Sequence, residues 1–116
     1  MTSEHYIIAK LAELMWSHDT EREAIAVGCA LRNRVGENLG WWDLIRDKSN
    51  HGDRHINIDP RDPQFLTCLW KAEEIFYVRL ADVTDGSNAW GRLPYDTVTH
   101  RIGGLNFYRR NSGNTR

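Results

Sequence analysis

The side chains able to do chemistry gather in three places along the chain. The first is the corner MWSHDTERE, Met15 to Glu23, where His18 sits among Glu13, Asp19, Glu21 and Glu23. Each acid there has a structural reading. Glu13 lies almost opposite the apolar stripe of its helix, beside Lys10. Glu23 follows Thr20 at the spacing of a capping box, in which its carboxyl reaches back to the cap. Asp19 competes with Thr20 for that cap, and Glu21 is a favourable first-turn charge against the helix dipole. The second place is His51 and His55, four apart, a spacing that puts two imidazoles on one helix face for a metal. Gly52 and polar neighbours argue instead for a loop, where that geometry is not enforced, so no metal and no other cofactor is expected. The third is Trp90, in a turn-rich stretch and on no periodic stripe. An indole there, beside Asn88 and Tyr95, makes a surface on which a sugar ring stacks, and these three are the expected substrate-binding residues. Asp82, Thr84, Asp85, Gly86 and Asn88 bear a faint likeness to a calcium loop, but the glycine comes early and no glutamate closes the series. A turn held by Asp and Asn side chains is the better account.

The elements that must position these groups follow from periodicity. Ile7, Ile8, Leu11, Leu14 and Met15 lie on one face of a first helix from Glu4 to Trp16, with Thr2 or Ser3 as cap. Thr20 opens a second helix that runs to Val35 and is ended by Gly36. Its Ala24, Ala26, Gly28, Cys29 and Ala30 are small all round and let neighbouring backbones approach, so it is read as the central helix. Trp41, Trp42, Leu44 and Ile45 suggest a short helix or turn. The segment from Asp47 to Pro63 is polar and aperiodic, a long loop. Asp62 and Pro63 then cap and start another helix, with Phe65, Leu69, Ala72, Phe76 and Leu80 on one stripe reaching about Ala81. Beyond it, IGGLNFY is read as brief strands or an extended tail packing back on the core.

At 116 residues, with 41% hydrophobic side chains, the chain is long enough for one core of ordinary size and too short for two, so residues 1–116 are read as one domain. The expected fold class is mainly α, with long loops and at most short β strands. A net charge of −1 gives no overall pull towards nucleic acid. The five arginines from Arg92 onward, against Asp96, are read as a solvated terminal segment, and no nucleic acid partner is expected. Cys29 and Cys68 sit in apolar helical patterns without metal or redox spacing, so buried free thiols are the default, with a disulfide left open. The N-terminal stretch has neither a charged leader nor a continuous apolar run. It is read as neither signal peptide nor membrane span, which implies synthesis in the cytoplasm and delivery by other means.

Taken in order, LAELMW, AIAVGCALRNRV, PQFLTCLWKAEEIF, DVTDGSNAW and IGGLNFYR resemble the bacterial and phage cell wall hydrolase family typified by the spore cortex-lytic enzyme, from about Ile7 to Arg110. The resemblance implies a small lysozyme-like domain that cuts the glycan strands of peptidoglycan, as a lytic transglycosylase or muramidase, at the cell wall or in a virion. In the transglycosylase route one carboxylic acid protonates the glycosidic oxygen and then takes the proton of the muramyl 6-hydroxyl as an anhydro ring closes. A second carboxylate is not required. A lone acid in an aromatic, water-poor cleft keeps its proton near neutral pH. Matching Leu11, Ala12 and Trp16 to the family pattern puts His18 where the acid stands. The shorter corner brings Asp19 or Glu21 to the site, so the expected catalytic residues are His18, Asp19 and Glu21. The alternative is an inactive domain of the same fold that grips glycan or a protein partner.

Overall fold

The computed structural model describes residues 3–18, 20–35, 40–52, 58–92 and 98–110. Helix α1, Ser3–Trp16, buries Ile7, Ile8, Leu11, Ala12, Leu14 and Met15, the face its spacing predicts, extended by Ala12. Helix α2, Glu21–Arg34, is capped by Thr20, whose hydroxyl accepts the Glu23 N–H at 3.2 Å. Its buried residues run from Glu23 to Leu31 with only Ile25 partly open, as a central helix requires. Gly28 explains how α2 fits there. A Cβ at Gly28 would stand 2.7 Å from Ile75 Cδ1 and 2.9 Å from Met15 Sδ, so the bare backbone is what lets the helices close. Helix α3, Trp41–Arg46, anchors Leu44 in the core and lays Trp41 against Phe76. Gly36, expected to end α2, lies outside the described residues; within them the C-cap is Val35.

Helix α4, Pro63–Phe76, starts as expected, with Asp62 Oδ1 accepting the Gln64 N–H at 2.9 Å. It ends earlier than its stripe suggests. Arg79 N–H donates to Glu74 O at 2.7 Å and Val78 N–H to Ile75 O at 3.1 Å, the paired bonds of a Schellman cap, with Val78 left-handed at φ 57°. Leu80 therefore packs on the core from beyond the helix, and the buried face is Phe65, Cys68, Ala72 and Ile75.

The expectation of a mainly α fold is corrected by the C-terminal third. Strands β1, Ala89–Gly91, β2, Val98–Ile102, and β3, Leu105–Tyr108, form an antiparallel sheet in the order β1-β3-β2. Ala89, Ile102, Leu105 and Phe107 are buried, and the last three join the helical core, so the chain is mixed α and β. The physical reason lies in IGGLNFY. Gly103, at φ 61°, and Gly104 make a two-residue connection that turns Leu105 back against Ile102, and pairing in a hairpin satisfies backbone groups that burial of Leu105, Asn106 and Phe107 in a single extended tail would strand. Cys29 and Cys68 are both buried thiols outside any disulfide, and burial pushes the Cys29 thiol above its ordinary range. No described helix is long and apolar enough to cross a membrane.

Candidate functional site: the cleft at the α1–α2 corner

The corner between α1 and α2 is held rigidly. Ser17 closes the last turn of α1: its N–H donates to Glu13 O at 3.1 Å, its hydroxyl donates to Leu14 O, and its Oγ accepts the Gly52 N–H at 2.7 Å. The 47–52 segment is thereby pinned onto the corner. Asn50 completes the attachment: its amide donates to Leu44 O at 2.9 Å, and its Oδ1 accepts from Arg34 Nη1 at 3.1 Å.

His18 lies in this joint, only 5% exposed. Its Nε2 stands 3.2 Å from Asn50 O, and because a carbonyl only accepts, Nε2 carries the proton and donates it. Burial pushes its pKa below the ordinary imidazole value; the Asn50 bond and the charge of Glu23 oppose this, while His51 and Arg92 reinforce it. The ring is thus neutral near pH 7. Gly52 packs on it so closely that a Cβ would fall 2.8 Å from Nδ1 and 2.5 Å from Ser17 O. On another side the edge of Trp90 meets it, ring centroids 6.2 Å apart at 80°.

The corner opens onto a cleft of about 250 Å³. Trp16, His18, Thr20, Glu21 and Ala24 form one wall; the first turns of α4, through Pro63, Gln64, Thr67 and Cys68, form the other. Of the expected catalytic residues, His18 and Glu21 are therefore brought together on one surface, and Glu21 is the one carboxyl group on that lining among the described residues. Asp19 lies outside the described residues, as do Tyr95 and His55.

Of the expected sugar-contact residues, Asn88 and Trp90 sit elsewhere. Asn88 is buried, with its amide donating to Arg110 O at 2.9 Å and its Oδ1 accepting the Arg110 N–H at 2.7 Å, so it clamps the end of β3 rather than facing the cleft. Trp90 is half-buried, with the Arg34 guanidinium 4.8 Å above its ring and His18 at its edge; it braces the corner from behind. Arg34 also donates to Asn88 O, which ties the end of α2 to β1. The indole that lines the cleft is Trp16. Its signal in the sequence was position, the aromatic residue that ends the first helix just before the acidic corner.

Glu23 departs from the role its spacing predicts. Its N–H takes the Thr20 cap, but its carboxyl does not turn back to complete a capping box. Oε2 instead accepts the Gly104 N–H at 2.6 Å from the β2–β3 turn, and Oε1 is buried without a hydrogen-bond partner among the described residues. A Cβ on Gly103 would collide with this carboxyl group, so the glycine pair of the hairpin serves both the turn and the glutamate beneath it.

Asp82, read as the head of a side-chain turn, is one. Its two oxygens accept from Thr84 N and Oγ1, from Gly86 N and from Asn33 Nδ2, all at 2.7–2.8 Å. Burial works against ionisation, but these hydrogen bonds outweigh it and hold the carboxyl below its usual range. No three His, Cys, Asp or Glu side chains among the described residues come together as metal ligands would. Comparison with protein-family models, curated proteins and solved structures finds no match to this chain.

Proposed function

We propose that this chain binds the glycan strand of peptidoglycan in the α1–α2 cleft and cleaves it with Glu21 as the acid. The observation that carries the reading is the placement of Glu21: a carboxyl group on the wall of an open cleft that also presents the Trp16 indole. A pyranose ring stacked on Trp16 displaces water from that carboxyl group. Glu21 then protonates the glycosidic oxygen as the bond from C1 breaks, and the resulting carboxylate takes the proton of the muramyl 6-hydroxyl as its oxygen closes on C1. Proton and electron pairs balance with no outside nucleophile; water in place of the 6-hydroxyl would give muramidase products instead. His18, neutral and with its N–H committed to Asn50, is not the donor and serves as a fixed wall. Action is at the cell wall or in a virion, once the protein is delivered there.

A second reading draws on that same histidine. The residue standing where the resembling family carries its acid is tied into the fold, which favours a domain that grips glycan without cutting it. Incubating the purified chain with peptidoglycan separates the two. Release of anhydro-muropeptides, lowered at least about 100-fold in Glu21→Gln, is the result expected for the enzyme. Glycan binding with no product supports the grip alone, and neither binding nor product dismisses both.

A further inference from the structure

A second groove, of about 310 Å³, lies on the α1–α3 side of the molecule. Helix α1 supplies Tyr6, Lys10 and Glu13 at successive turns, α3 supplies Trp42 and Arg46, and His51 lines it from the loop beyond. Tyr6 and Trp42 stack on each other, centroids 5.5 Å apart and planes 25° apart, yet remain 41% and 43% exposed. The pair thus forms a preset aromatic platform open to solvent. The charges beside it are already matched: Lys10 Nζ lies 3.4 Å from Glu13 Oε1, and Arg46 Nη2 lies 3.5 Å from Asp43 Oδ1. Such a lining selects for neither an anion nor a cation, but it offers charge-assisted hydrogen bonds to neutral hydroxyl and amide groups. His51 adds a buried Nδ1 with no partner among the described residues.

A ligand with a flat apolar face and a rim of neutral polar groups matches this surface, which is the description of a pyranose ring. A docked amphipathic helix would need a longer apolar stripe than Tyr6, Trp42 and Ile45 provide. The groove also adjoins the first one. Glu13 stands one turn before Trp16 on α1, and His51 precedes Gly52, which is bonded to Ser17 and packed on His18. We infer that the Tyr6–Trp42 groove is a second sugar-ring subsite, and that one glycan strand runs from the α1–α2 cleft over the Gly52 strip onto it. This rests on the glycan reading of the cleft.

Binding of peptidoglycan-derived disaccharide and tetrasaccharide to the full chain, measured by calorimetry, tests it. The tetrasaccharide should bind more tightly than the disaccharide, and Trp42→Ala should erase most of that gain, about fivefold or more for the loss of one stacking contact. Trp42→Phe should retain most of it. Because Trp42 is exposed, an unchanged unfolding midpoint checks that the variant is folded. Equal tetrasaccharide affinity in wild type, Trp42→Ala and Tyr6→Ala overturns the subsite; if Trp16→Ala then abolishes binding, the cleft reading survives alone. Failure of both fragments to bind the wild type removes both readings.

Discussion

His18 shows how one buried side chain sets a property of the folded protein. Its imidazole is held neutral because protonating it would place a charge in a space closed by Gly52, Trp90 and the Asn50 carbonyl. In the unfolded chain the same group takes up a proton at about pH 6.5. The unfolded state therefore binds more protons below that pH, and stability falls as pH drops from about 6.5 until the lower folded-state pKa is passed. Chemical unfolding midpoints measured across this window should decline in the wild type. The decline should be much flatter in His18→Gln, whose amide can still donate to Asn50. Parallel profiles would show that other groups carry the acid sensitivity. Glu23 makes a related point about sequence reading: its capping-box spacing was legible, but a carboxyl group within reach of both its own cap and a turn 81 residues away goes to whichever partner the tertiary structure presents.

Helix ends were set by backbone geometry that side-chain periodicity does not report. The stripe Phe65, Leu69, Ala72, Phe76 and Leu80 reads as one continuous helix, yet α4 stops at Phe76 and Leu80 reaches the core from the following segment. The Schellman cap forces Val78 into the left-handed region, where a β-branched side chain is strained and, at 71% exposure, gains little from packing. Val78→Gly should therefore raise stability by about 0.5–1 kcal/mol, the relief of strain exceeding the added freedom of the unfolded chain. Thermal unfolding checks this; a lowered midpoint would mean the valine is not strained. The helix starts, in contrast, were readable in advance, because Thr20 and Asp62 act on N–H groups two or three residues away.

For the molecule as a whole, the sheet is structural rather than an appendage. Phe107 on β3 is fully buried in the same cluster as Leu11, Val27 and Ile75 from three helices. Phe107→Ala should cost about 3–5 kcal/mol, through lost burial and the cavity left behind. That is a large share of the roughly 5–15 kcal/mol that stabilises a domain. Denaturant unfolding followed by helical circular dichroism should show the helices and sheet losing stability together. A small change confined to the C-terminal segment would mean the sheet is dispensable.

The sequence by itself determined the local features: four helical segments, the N-caps of α2 and α4, a small-residue central helix, the Asp82 turn and the core faces of α1 and α2. These depend on spacing and on hydrogen bonds spanning a few residues. It also marked the α1–α2 corner, where His18 and Glu21 do share a cleft. Only the tertiary structure decided that the tail closes as a sheet, that Trp16 rather than Trp90 lines that cleft, that Asn88 is a clamp, and that His18 is neutral. Each of those depends on residues far apart in the chain meeting across the core, and neither periodicity nor local propensity encodes which partner arrives.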